Sequence, residues 1–305
     1  MYCKALDRDV LTTNMMNRFN RDALWYKINI DTPEGKALFK KYHLVGVPTT
    51  ILLDSQAREV DRIIGYGKRS KWLKTLVGYM YGVDTLQDYL DRASEKPSAA
   101  VYKTVARKYL DRGAFSEAVS WAQKTRKLQP APSGKTLADL KLVEGEAWMH
   151  TNPRKGLETL TELAKGPKSD ASGEAFQVVY AYYRKALKKS ATEQGKTEAQ
   201  KNLLHFYHDV LPARQNDPSV LNNYAWFCYE SGIELDQALK AAQHAEKLQP
   251  ENTDILDTVA GLYDKLGRRD DAVKTIDRAL EIKPNDTYLK KRRAEFSGGG
   301  KQKPS

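Results

Sequence analysis

One spacing constrains this chain more than any other feature. Ala106, Tyr109, Gly113, Ala118 and Pro130 stand at offsets 0, 3, 7, 12 and 24. Ala260, Tyr263, Gly267, Ala272 and Pro284 repeat those offsets, and Ala225, Cys228, Gly232, Ala238 and Pro250 repeat them with one residue inserted before Ala238. The residue types explain the spacing. Small alanines let two helices approach closely, glycine supplies the turn between them, and proline ends the second helix. Each unit is therefore a helix–turn–helix hairpin that buries its apolar face against its neighbours.

These positions resemble the tetratricopeptide (TPR) repeat, a unit of about 34 residues. The resemblance places clear repeats at 99–132, 218–251 and 253–286. Between them, 137–150 with 154–165, and 173–189 with 198–211, read as divergent helical hairpins within 136–212. The repeat region is expected to span 97–296, and the glycine- and lysine-containing stretch 297–305 is expected to be a disordered tail. By resemblance, the partner of such a solenoid is a protein held on its concave face. A carboxylate clamp around Asn222 and Asn223 lacks matching cations in the adjacent repeats. The aromatic set Tyr180, Tyr182, Tyr183, Phe206, Tyr207, Tyr224 and Trp226 reads as core rather than as a ligand cage.

The first ninety residues have a different pattern. Pro48 leads into Thr49-Thr50-Ile51-Leu52-Leu53, bounded by Asp54-Ser55, which reads as a short buried strand with proline at its first position. The Val47–Pro48 bond is a candidate for the cis form, which costs little before proline. Residues 4–20 read as a helix, 24–30 as a strand, 33–42 as a helix opened by Thr32 and Pro33, 58–64 as an antiparallel strand and 68–81 as an amphipathic helix.

Tyr2-Cys3-Lys4-Ala5-Leu6-Asp7-Arg8-Asp9-Val10, Gly46-Val47-Pro48-Thr49 and the Asp54–Val60 hairpin resemble, in that order, the second half of a thioredoxin-like cysteine motif, its cis-proline loop and its closing hairpin. The resemblance implies an α/β thioredoxin-like domain over 1–92 with an incomplete sheet, followed by the all-α repeat solenoid. It implies a thiol–disulfide oxidoreductase acting on protein substrates, with Cys3 as the catalytic, resolving thiol and Tyr2, Val47 and Pro48 as substrate-binding residues. The first cysteine of the family's pair is absent, so the chain as given cannot cycle alone. The alternative is a redox-inactive adaptor that binds proteins through both regions. Because the family's central strand is also absent, the expectation is that a strand and a cysteine lie upstream of Met1. Without them the sheet would close up or borrow a strand.

Composition narrows the partners. The chain has 305 residues and a formal charge of +11, with a mean hydropathy of −0.65. No apolar run approaches the roughly 20 residues needed to span a bilayer, and the N-terminus has no apolar stretch of the kind that makes a secretory signal. The positive charge is spread along the chain, with one dense run at Lys290-Lys291-Arg292-Arg293, and reads as solvated surface rather than a nucleic-acid site. Two cysteines 225 residues apart make no disulfide framework, and Cys228 reads as a packed core thiol. His205 and His208 share a helix face without a third ligand nearby, so no metal is expected. No cofactor-binding motif is present either.

Overall fold

The computed structural model describes residues 2–12, 14 and 23–299. It comprises two compact units, Met1–Leu163 and Ala164–Ser305, taken separately below.

The first unit begins with α1 (Tyr2–Asp9) and α2 (Pro33–Lys41), the antiparallel strands β1 (Thr49–Leu53) and β2 (Glu59–Ile64), and α3 (Arg69–Met80) and α4 (Leu86–Glu95). The hairpins α5 (Ala99–Asp111) with α6 (Phe115–Thr125), and α7 (Gly134–Thr151) with α8 (Pro153–Lys165), follow. Side-chain caps set several helix starts. The Thr32 hydroxyl accepts from the Gly35 amide, Thr85 from Asp88 and Ser98 from Val101, each satisfying an otherwise orphaned donor. The Val47–Pro48 peptide is cis, as expected, and Gln129–Pro130 is cis as well.

The thioredoxin-like α/β domain expected over 1–92 is not what the chain forms. Among the described residues the sheet has two strands, β1 and β2, and nothing else. Residues 23–29 have no strand assignment, because a strand exists only as a paired element and no neighbour offers a ladder here. In that segment Leu24 is 85% and Tyr26 82% exposed. The predicted helix 4–20 ends at Asp9, since residues 10–12 are turn and coil, and residues 13 and 15–20 lie outside the described residues. Helix α4, absent from the sequence reading, follows Gly82, where a positive φ breaks the chain direction.

What holds the β-hairpin to the first repeat is a buried charge cluster. Asp61 is 1% exposed, and its carboxylate lies 2.8 Å from Lys108 Nζ and 2.9 Å from Arg112 Nη2. The same carboxylate accepts from the Leu86 amide at 2.6 Å. Arg62, also buried, forks onto Glu59 and donates to the Asp111 carbonyl at 2.9 Å. Each charge here is paired, which is the condition for charges to sit in a dry place at all. Asp111 titrates above the ordinary aspartate range because burial outweighs the four cations around it. A separate apolar cluster joins Leu6, Val10, Tyr66, Trp72 and Leu76.

The second unit is helical among its described residues: α9 (Asp170–Lys189), α10 (Glu193–Val210), α11 (Pro218–Ser231), α12 (Leu235–Leu248), α13 (Thr253–Lys265), α14 (Arg269–Ile282) and α15 (Thr287–Ala294). The small residues of the repeat spacing do what their size predicts. Ala225, Ala238, Ala260 and Ala272 are fully buried, while Gly232 and Gly267 turn the chain at φ 69 and 77. The residue inserted in the middle repeat is accommodated at Glu234, which takes the left-handed conformation at φ 48. Phe176, Phe206, Tyr207 and Phe227 form a buried aromatic core, with Phe176 and Phe206 centroids 5.4 Å apart. The last repeat packs Leu256, Ala260, Ile276 and Ala279 against Leu289 and Phe296 of the terminal turns.

Candidate protein-binding face

The residues predicted from sequence for thiol chemistry lie on α1 and on the loop that enters β1. Cys3 is exposed on α1. Tyr2 begins that helix, and its side chain lies outside the described residues. Val47 is 47% exposed and Pro48 half-buried, its carbonyl accepting from the Gly65 amide at 2.7 Å. Among the described residues no hydrogen bond joins Cys3 to Val47 or Pro48. Around α1 the polar contacts are of another kind. Lys27 reaches Asp7 at 2.7 Å, and Asp9 pairs with Arg8 while accepting from Tyr66 Oη at 3.2 Å. The Arg8 hydrogen bond holds Asp9 below its usual range.

Cys228 is fully buried in α11, and burial pushes its thiol up to about 12. That makes it the inert packed thiol its repeat position implies. His208 Nε2 lies 3.0 Å from Glu234 Oε2, and Tyr224 Oη donates to the same oxygen at 2.6 Å. Burial raises the Glu234 pKa, but these two partners outweigh it and leave the carboxyl below its ordinary value. His205 stands 3.9 Å from Asp209. Among the described residues no three His, Cys, Asp or Glu side chains converge as metal ligands would.

In the second unit the first helices of the two clear repeats, α11 and α13, and the terminal helix α15 are joined through Tyr229, Gly261, Asp257 and Arg292. Arg292 Nε donates to Asp257 Oδ1 at 2.8 Å, and Nη1 donates to Tyr229 Oη at 3.1 Å. Tyr288 Oη donates to the other Asp257 oxygen at 2.8 Å. Burial works against the Arg292 charge and the hydrogen-bonded carboxylate overrides it, so the guanidinium stays cationic. Burial and the same carboxylate push the Tyr288 phenol up to about 12.

Gly261 is what lets these groups sit so close. A Cβ there would come within 2.7 Å of Arg292 Nη2 and 3.0 Å of the Tyr229 ring. Tyr229 also packs on Trp226, with ring centroids 5.1 Å apart, and carries Lys265 Nζ 5.6 Å from its centroid. Two polar atoms of these helices are buried without a hydrogen-bond partner among the described residues: Asn222 Oδ1 and Arg292 Nη2. In the first unit the corresponding helices, α5 and α7, are tied differently. Lys103 bridges to Asp139 and Arg107 to Glu146, each at 2.8 Å.

Sequence reasoning found Asn222 and missed Tyr229, Asp257, Gly261, Tyr288 and Arg292. Arg292 was hidden in a basic run that patterns as solvated. The signal that reveals it is the spacing of Tyr288, Arg292 and Phe296, four residues apart on one helix face.

Comparison with known proteins bears on the repeats alone. The family model for the tetratricopeptide repeat matches residues 234–295. No curated protein matches. The chain is similar in structure to YrrB, described as a TPR protein with an unusual peptide-binding site, at 15% identity and a TM-score of 0.43, over 68% of this chain and 97% of that one. It is also similar to MamA, at 16% identity and a TM-score of 0.40, over 68% and 97% of the two chains. A thermophilic TPR protein of Thermus thermophilus is similar at 18% identity and a TM-score of 0.33, over 75% and 95%. No helix among the described residues is long and apolar enough to cross a membrane. Residues 234–295 thus carry tetratricopeptide repeat sequence, a module that binds protein partners.

Proposed function

We propose that the chain is a protein-interaction adaptor whose repeats hold a partner polypeptide, in the second unit on the concave face to which the first helices α11 and α13 contribute. The observation that carries this reading is the match of residues 234–295 to the tetratricopeptide repeat, beside the partly exposed aromatic pair Trp226 and Tyr229 of α11. Aromatic side chains of this kind give contact area at low entropy cost.

The oxidoreductase reading lacks its second thiol. Cys3 is exposed on α1, and the other cysteine in the sequence, Cys228, is sealed in a repeat core. A lone surface thiol can enter a mixed disulfide and has no neighbour to release it.

Site-specific photo-crosslinking tests the adaptor role. A benzophenone amino acid replacing Trp226, on the first-helix face, is compared with one replacing Leu248, exposed at the end of the second helix α12. The adaptor reading expects one discrete protein adduct from position 226 and none from 248, with the adduct lost on Tyr229→Ala. Identical adduct patterns at both positions would refute it.

A further inference from the structure

Among the described residues the edge of β1 that faces away from β2 has no main-chain partner. The Gly65 amide donates to the Pro48 carbonyl at 2.7 Å at one end of the hairpin, and the Asp54 amide to the Arg58 carbonyl at 2.9 Å at the other. Antiparallel ladders alternate, so Thr50 and Leu52 turn their N–H and C=O groups to β2, and Thr49, Ile51 and Leu53 turn theirs outward. The register shift between Leu52 and Leu53 leaves this alternation intact, because the extra residue, Val60, is on β2. Among the described residues no main-chain group pairs with the outward row.

Apolar side chains crowd this part of the unit. Val45, Val47, Leu53 and Ile64 are exposed, as are Leu24, Tyr26 and Ile28 in the unassigned segment 23–29. Scattered apolar residues on a surface need no explanation, but an apolar strand with an unpaired edge does. Proteins normally blunt such an edge with an inward charge or a lysine, and β1 (TTILL) carries neither. The groups left open are main-chain donors and acceptors, so what covers them must offer a ladder of its own. An extended polypeptide does so; a helix or a lipid does not.

Charge identifies the flanks of that polypeptide. Residues 23–80 contain ten Lys and Arg against five Asp and Glu. Three of the five acids are already engaged: Asp54 with Arg58, Glu59 with Arg62, and Asp61 with Lys108 and Arg112. Lys36, Lys40, Lys68, Lys71 and Lys74 stand exposed around the hairpin. We infer that the open edge of β1 accepts an extended strand of a partner protein, apolar at alternate positions and flanked by acidic residues. This surface is separate from the repeat face and does not depend on the reading given for it.

Amide hydrogen exchange on the full chain tests the inference. The probe is a synthetic peptide of alternating valine and threonine with two acidic residues at each end. Saturable protection is expected at Thr49, Ile51 and Leu53. The same peptide with lysine ends should bind about tenfold more weakly at low salt. Ile51→Pro removes only an outward N–H, so it should abolish the probe's effect while Thr50 and Leu52 stay protected. If that variant loses the hairpin, Leu53→Lys decides, and it must weaken the probe. Tyr229→Ala should leave all of this unchanged, which separates failure here from failure of the repeat face. Two results overturn the inference. One is the absence of saturable protection at the three amides. The other is outward amides in the free chain that already exchange as slowly as Thr50 and Leu52, which would mean the edge is already covered.

Discussion

The β-hairpin region of the first unit and the last repeat of the second solve the same problem in opposite ways. Between the hairpin and the first repeat, long-range order rests on charge. Asp61 and Lys108 meet across 47 positions of sequence, while Tyr26 and Leu24 on the neighbouring segment remain in water. In the last repeat, Leu256, Ala260, Ala272, Ile276 and Ala279 are fully buried, and the polar contacts of Asp257 and Arg292 are laid over that core rather than replacing it. The difference teaches that dense apolar packing needs close-approach residues at regular spacing. Where the sequence lacks them, a few directional contacts must fix the arrangement, and these fail one at a time.

The sharpest way to break the comparison is Asp61→Ala. Removing one carboxylate strands Lys108 and Arg112 in a buried place, and the first unit should lose about 3–5 kcal/mol. Chemical denaturation followed by hydrogen exchange should place the loss in residues 49–112 and leave 253–296 untouched. A loss shared equally by both regions would erase the contrast drawn here.

Gly261→Ala probes the other region. Its Cβ meets both Arg292 Nη2 and the Tyr229 ring, so the last repeat should be destabilised by about 1–3 kcal/mol through overpacking. Thermal unfolding of this variant beside Gly261→Ser checks the cause, since the larger side chain at the same place should cost more.

Glu234→Gln is expected to cost about 1–2 kcal/mol at pH 7. The sign with pH follows from its lowered pKa. The stabilisation is complete above the ordinary glutamate range near pH 4.3 and disappears as pH falls through the lower folded value. The variant and the parent should therefore converge in stability at acid pH. A difference that persists unchanged at pH 3 would show that the contacts of Glu234 do not depend on its charge.

The smallest effect belongs to Tyr26→Ser. At 82% exposure the ring contributes almost nothing to the folded unit, and stability should change by less than about 0.5 kcal/mol. A larger loss would mean that Tyr26 is covered in solution and that the hairpin region is better packed than its surface indicates.

Much of this was legible in the sequence, and the rest was not for identifiable reasons. The repeat spacing reports contacts between helices adjacent in the chain, so Ala106, Gly113 and Ala118 reveal a hairpin without knowledge of anything distant. Pro48 and Asp54 likewise bracket β1 through local backbone chemistry. Residues 24–30 misled because Leu24, Trp25, Tyr26 and Ile28 have strand composition, and composition cannot supply the neighbour that a strand requires. The thioredoxin-like reading failed on that missing pairing. Lys108 and Asp61 were invisible because nothing near either residue marks it for burial. Asn222 was singled out in the sequence because its place in the repeat is local. Arg292 was missed because its partners, Asp257 and Tyr229, come from other helices.

The terminal helix α15 and the turn after it give the array a direction of growth. Leu289 and Phe296 seal the end of the last repeat at 3% and 1% exposure, and Arg292 reaches back over Gly261 to Tyr229. A further copy appended after Pro284 would strip that seal away. One inserted between the repeats that carry Ala225 and Ala260 would reproduce the joint already present on either side. Duplication in the interior would therefore preserve the packing that α15 makes on the last repeat, and insertion directly after Pro284 would not.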